Sequence, residues 1–390
     1  MSSGVIPVML PCLGEEEARA AAEAVRSGWV AQGPRVLAFE RSFADRIEAR
    51  HGVAVSSCTT ALHLALHALG VGPGDEVVVP SFSFIATANV VVHVGATPIF
   101  ADVEPLTGNV STRTVEQVLG ERTRAVIAVH QAGVPADVAS LRSMLKPHGI
   151  PLIEDAACAV GSTYMGRPVG AGATLAAWSF HPRKLLTTGE GGMVTTDNKE
   201  LADRLRRLRE HGMSISAAER HAAARPTFED YLEVGFNYRM TDVQAAIGLV
   251  QLTRLDDIVA DRRAGAARYQ ELLATVDGVR PVADPPLGET NYQSFWIELA
   301  ADFPVSRDEV IAALNSDGIS PRRGIMAAHL EPAYHGQQHV PLPVTERLTR
   351  QSLILPLHHE LTDFDQERIV DVLGSLSTGK AVAFVGGEAS

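Results

Sequence analysis

Val53-Ala54-Val55-Ser56-Ser57-Cys58-Thr59-Thr60-Ala61-Leu62-His63-Leu64-Ala65-Leu66-His67-Ala68-Leu69 is the stretch whose reading decides the fold class. Residues 53–57 open on small and β-branched apolar side chains, the composition of a buried strand. Serines and threonines then interrupt the run, and their oxygens suit the free N–H groups of a helix start. From about Thr59 to Leu69 alanine and leucine dominate, both strong helix formers. The stretch therefore predicts a strand, a polar turn and a helix.

The same punctuation recurs on both sides. Residues 76–80, 125–130, 151–155, 175–180 and 192–196 read as further short buried strands, and helical stretches such as 201–210 separate several of them. Residues 15–27 begin with three glutamates, carry Arg26 near their end and stop at Gly28, an order that suits the helix dipole. Thr241 and Gln244 have capping-box spacing, and Val243, Ala246, Ile247 and Val250 continue it as an apolar face. This predicts a long helix ending a first domain near Asp256. Alternating strands and helices imply an α/β fold with a mostly parallel sheet covered by helices on both faces. Beyond Asp256 the pattern changes to a smaller α+β unit. The expected division is 1–255, 256–377 and a loosely held tail, 378–390. Residues 213–230 lack periodicity and read as a mobile surface excursion.

Composition limits the function classes. A formal net charge of -12 argues against a nucleic-acid partner, but local cations or helix N-termini can still hold a phosphorylated ligand. Three cysteines, Cys12, Cys58 and Cys158, form no disulfide framework and suit a reducing compartment. The N-terminal residues lack the basic and apolar regions of a signal peptide. The apolar stretch 77–100 is too interrupted by polar residues and proline for a membrane span. A cytoplasmic enzyme is the expectation.

Three segments can carry chemistry. Asp155 ends the apolar run Ile153-Glu154-Asp155, and ligands of open α/β sheets collect at the carboxyl ends of strands. It reads equally as a carboxylate facing a bound cation or as a helix cap. Lys184 follows Ser179-Phe180-His181-Pro182-Arg183 and precedes the glycine cluster Gly189-Glu190-Gly191-Gly192. Desolvation, or a neighbouring cation such as Arg183, would lower its pKa and make the amine nucleophilic; an ordinary surface lysine is the other reading. Ser56 to Thr60 suit a phosphate at a helix N-terminus, or simply cap the helix. Among 14 histidines, His358-His359-Glu360 is the densest group, but neighbours on a strand point to opposite faces, and neither HExxH nor paired CxxC is present, so no metal is expected.

Taken together, these segments resemble the sugar aminotransferases of the DegT family, a branch of the fold-type I pyridoxal-phosphate enzymes. The resemblance spans about residues 5–375. It rests on Ser27-Gly28-Trp29 with Gly33-Pro34, Val55 to Leu62, Glu154-Asp155-Ala156-Ala157, Ser179 to Lys184 with Gly189 to Gly192, and Asn237-Tyr238-Arg239-Met240-Thr241-Asp242. It implies a seven-stranded-type sheet and a pyridoxal 5′-phosphate cofactor held by Lys184 as a Schiff base. Asp155 matches the acid paired with the pyridine nitrogen. Ser179, Thr59 and Thr60 match the phosphate cradle, and Phe84 matches the ring that stacks on the cofactor. Asn237 matches a residue reaching the phosphate of the neighbouring subunit, which implies a homodimer with a shared site. Cys158 stands where the family usually has His or Gln supporting the cofactor's 3-oxygen, and a thiol is a weaker hydrogen-bond partner. Cys58 stands where glycine is common, so its backbone should need no positive φ.

The implied reaction moves an amino group from glutamate or glutamine to a nucleotide-linked keto sugar by ping-pong transamination. A keto-cyclitol acceptor of an aminoglycoside-type pathway and a non-catalytic cofactor-binding regulator remain as alternatives. Trp29, His181, Arg239, Arg323 and His329 are the candidate substrate contacts, the arginines because a guanidinium suits a diphosphate.

Overall fold

Seven strands form one sheet: β1 (His51–Val55), β2 (Glu76–Pro80), β3 (Thr97–Ala101), β4 (Thr123–Val129), β5 (Leu152–Asp155), β6 (Leu175–Ser179) and β7 (Gly192–Thr196). They belong to a computed structural model that describes residues 4–215 and 228–379. The spatial order is β1-β7-β6-β5-β4-β2-β3. Adjacent pairs from β3 across to β6 are parallel, and β7 alone runs antiparallel to its neighbours β1 and β6. The strands are apolar on successive residues because both faces are covered. Val53 and Val55 pack with Leu62, Ala65 and Leu66 of the helix α3 (Cys58–Ala68). Ala54, Ala176 and Trp178 face the other way, onto Phe39 and Phe43 of α2 (Pro34–Arg46), which follows α1 (Glu15–Arg26).

The predicted strands and helices are present within a residue or two at most ends. β3 was not expected. It carries Pro98, which cannot donate to a ladder, and it lies at the sheet edge where one side needs no partner. Thr241 caps α4 (Asp242–Thr253) by accepting from the Gln244 N–H at 3.2 Å. A new helix, α5 (Leu255–Leu273), starts immediately afterwards, near the expected division at 255/256.

The chain beyond α5 builds a second, antiparallel sheet from β8 (Val279–Pro281), β9 (Phe295–Leu299), β10 (Arg322–Arg323) and β11 (Ser352–Leu355), in the order β8-β9-β11-β10. One apolar core joins the two parts: Val78, Val126 and Ala128 of the large sheet belong to the same cluster as Tyr269, Phe295 and Leu353. The N-terminal segment also ties to the later part, since the Ile6 N–H donates to the Gly318 carbonyl at 2.8 Å and the Leu357 N–H to that of Val8 at 3.2 Å. The expected excursion at 213–230 is closed at its base by a bridge between Met213 and Tyr231. Its residues 216–227, and 380–390 of the expected tail, lie outside the described residues. Among the described residues, no helix is long and apolar enough to cross a membrane.

Candidate active site

The carboxyl ends of the parallel strands bring the three candidate segments together. β1 ends at Val55, β6 at Ser179, and Gly192 at the start of β7 pairs with both. A Cβ on Gly192 would stand 2.4 Å from the Ser57 carbonyl carbon, so only glycine allows β7 so close to the turn before α3. Ser57 and Thr60 close a reciprocal cap. The Thr60 N–H donates to Ser57 Oγ at 3.1 Å, and the Ser57 N–H donates to Thr60 Oγ1 at 3.0 Å. The N–H groups of Cys58 and Thr59, in the first turn of α3, have no acceptor within the helix and carry its positive end. Cys58 is helical, as its replacement of a common glycine suggested.

Glu154 and Asp155 alternate across β5, and the alternation divides their roles. Glu154 is buried against His130, at 3.2 Å, and Arg142. Burial pushes its carboxyl up, but these two partners outweigh burial and hold it below the usual range. Asp155 is also buried, 4 % exposed, with fewer partners. Thr87 Oγ1 donates to it at 2.9 Å and the Ala157 N–H at 3.2 Å. Here burial wins over the Ala157 amide, Thr87, Lys184 and His130, and the carboxyl is raised. Thr87 escaped the sequence reading; nothing in the apolar run around it distinguished it from a core residue.

Lys184 sits in a tight loop after β6. Its N–H donates to the His181 carbonyl at 2.8 Å, and the loop is closed by Thr187 Oγ1 donating to the Phe180 carbonyl at 2.9 Å. Lys184 Nζ donates to Cys158 Sγ at 3.1 Å, so the thiol that replaces the family's usual polar group is a direct neighbour of the amine. The expected lowering of the lysine pKa is not found. Burial does pull it down, but Cys158, Cys58 and Asp155 outweigh burial and raise it, and Arg183 points into solvent. Burial likewise pushes the Cys58 thiol well up, with Asp155 and Cys158 adding to the effect.

The remaining candidates surround this centre unequally. Ser179 is half-buried, accepting from the His181 N–H at 3.5 Å. Phe84 is 66 % exposed beyond the end of β2, leaving a ring face free. Asn237 is exposed and bridged to Glu210. Its neighbour Tyr238 accepts from the Ser56 N–H at 2.8 Å, which places the 237–239 segment beside the α3 N-terminus. Arg239 is half-buried there. His181 is partly exposed with Glu190 at 4.0 Å; burial lowers its pKa. Trp29 is 38 % exposed and lies against Gly33. Asp242 accepts from the Arg35 and Val36 N–H groups, so this part of the motif caps α2. Arg323 is exposed, 3.8 Å from Glu331. His329 is enclosed at 5 % exposure, bonded through Nδ1 to Ser81 Oγ at 2.6 Å. It anchors 327–329 to the end of β2, where the Ala328 N–H donates to the Ser81 carbonyl. His329 is thus enclosed and held by Ser81. His358 and His359 belong to no group of three or more His, Cys, Asp or Glu able to hold a metal among the described residues.

The donor set fits a phosphorylated carbonyl cofactor with a basic ring nitrogen. It offers an amine for the carbonyl, a buried carboxyl for the nitrogen, and a helix N-terminus whose close packing Gly192 permits. The model of the DegT/DnrJ/EryC1/StrS aminotransferase family matches residues 11–374. The chain belongs to that family. It is an aminotransferase by that membership. The spore coat polysaccharide biosynthesis protein SpsC of Bacillus subtilis is 37% identical over 379 residues, covering 96% of this chain and 97% of that protein. Spr1654 of Streptococcus pneumoniae, solved in its PLP-form, is 28% identical with a TM-score of 0.89, over 97% of this chain and 100% of that one. DesI, solved in the presence of its TDP-sugar product, is 32% identical with a TM-score of 0.87, over 97% of this chain and 95% of that one.

Proposed function

We propose that this aminotransferase is pyridoxal-phosphate-dependent and moves an amino group from glutamate or glutamine to a nucleotide-linked keto sugar, as a cytoplasmic homodimer. The observation that carries the reading is the convergence of the Lys184 amine, the buried Asp155 carboxyl and the α3 N-terminus at the strand ends. The similarity to Spr1654 in its PLP-form and to DesI with its TDP-sugar product supports the cofactor and the acceptor class.

When bound, pyridoxal phosphate supplies an electrophilic carbon and a ring that accepts an electron pair. Lys184 Nζ would hold that carbon and, as a free amine, would be the base placed to move a proton at the donor carbon. Asp155 keeps a proton on the ring nitrogen. Thr59, Thr60 and Ser179, with the first N–H groups of α3, bind the phosphate. Phe84 would stack on the cofactor ring. Cys158, next to Lys184 Nζ, would support the cofactor's 3-oxygen. Asn237 reaches the partner subunit's phosphate. Trp29, His181, Arg239 and Arg323 border the acceptor, and His329 shapes the wall behind it.

Purified protein loaded with pyridoxal phosphate should be yellow and bleach on adding glutamate or glutamine. A panel of nucleotide-linked 3-keto and 4-keto sugars plus a keto-cyclitol, read by mass spectrometry, tests the acceptor. No colour on loading overturns the cofactor reading; amination of the cyclitol alone overturns the sugar.

A further inference from the structure

We propose that Asn291-Tyr292-Gln293 is a clamp that fixes the Lys184 loop against the loop after Asp155, and that Gln293 is a positioning residue for the reacting amine. The proposal rests on the reading of Lys184 as that amine. Gln293 grips the chain on both sides of Lys184. Its Oε1 accepts from the Leu185 N–H at 3.1 Å, and its Nε2 donates to the Arg183 carbonyl at 2.5 Å. No other uncharged side chain of that length both accepts from an N–H and donates to a C=O. Two residues earlier, Asn291 grips the opposite loop: its Nδ2 donates to the carbonyls of Cys158 at 2.9 Å and Val160 at 2.7 Å. Asn291 Oδ1 accepts from the Gln293 N–H at 2.8 Å, joining the two grips. One tripeptide therefore sets the separation of Lys184 from Cys158, whose atoms meet at 3.1 Å.

Three costly features converge on this tripeptide. Tyr292 has a left-handed backbone, φ 49, which a side chain disfavours. Gly133 must be glycine, because a Cβ there would stand 1.9 Å from Asn291 Oδ1. Arg262 of α5 is buried, 5 % exposed, and spends its guanidinium on three carbonyls, those of Tyr292, Gln293 and Leu357, each at 2.8 Å. A buried cation is expensive unless hydrogen-bonded. Local strain retained beside a reacting group points to a function for the geometry it holds. A displacement of about 1 Å at a reacting centre costs on the order of 10²-fold in rate.

The test uses the full chain with Gln293→Met, which keeps the volume and loses both hydrogen bonds, and Gln293→Glu, which keeps only the acceptor. Amide hydrogen exchange of the cofactor-free protein reads the clamp without the cofactor. The Leu185 amide should exchange at least about 10-fold faster in Gln293→Met, with Gln293→Glu between it and wild type. In the loaded protein, Gln293→Met should shift the pH midpoint of the visible band and lower kcat about 10–100-fold, with KM for the amino donor within about 2-fold. Unchanged Leu185 exchange overturns the proposal. Faster exchange with unchanged midpoint and kcat also overturns it, because the contacts would then be structural only. A wild type without a visible band signals failure of the cofactor reading instead, and is seen before any variant is compared.

Discussion

Burial raises the Asp155 carboxyl because one hydroxyl and one amide N–H replace only part of the water it loses. A carboxyl raised in the folded state favours folding below its unfolded pKa and loses that contribution as pH rises through its folded pKa. The carboxyl therefore contributes less to the cofactor-free fold as pH rises. Asp155→Asn should leave its Tm at or above wild type while lowering turnover on the order of 10²-fold or more; calorimetry and steady-state rates check both halves. Lys184→Ala should abolish covalent retention of cofactor, read as loss of the mass gain after borohydride reduction, with a rate loss on the order of 10³-fold. Thr87→Val removes the hydroxyl donor to Asp155 and should cost about 10-fold in rate, with Thr87→Ser restoring most of it.

Helix and strand ends carry the site, so damage at an end should reach the chemistry. Gly192→Ala forces a methyl into the backbone of Ser57. It should destabilise the protein by about 1–3 kcal/mol and weaken pyridoxal phosphate binding, measured by urea unfolding and by titration of the visible band. Retained affinity would show that α3 is not the phosphate platform. The strand–turn–helix pattern made β1 and α3 legible because local composition dictates them. β3 was hidden because Pro98 contradicts strand propensity and only its edge position permits it.

Across the molecule, α3 packs on the segment that carries Asn237 and Arg239 through a histidine and aromatic cluster. His63 lies between His67, His93 and Phe236, with Tyr238 Oη 3.3 Å from its Nδ1. Burial, then His67 and His93, lower its pKa from 6.5 to about 4. The unfolded chain therefore binds the proton more tightly, and stability is lost as pH falls from 6.5 towards about 4. We expect a loss of about 1–2 kcal/mol over that window after allowing for partial solvent screening. His63→Gln should flatten this slope in a pH series of thermal unfolding curves; an unchanged slope refutes the assignment.

The sequence by itself determined the α/β class, most strands of the large sheet, and the candidacy of Lys184 and Asp155, because composition, periodicity and helix caps act over a few residues. The tertiary structure decided the rest. It placed Cys158 on Lys184, enclosed His329 against Ser81, gave Thr87 to Asp155, and left the lysine raised where desolvation or Arg183 suggested lowering. It also brought Asn291 and Gln293 onto loops more than a hundred residues earlier in the chain. Such contacts depend on where strand ends and loops meet in space, and no local pattern encodes that. Lys184 was legible as a lysine after a strand; what holds it in place was not.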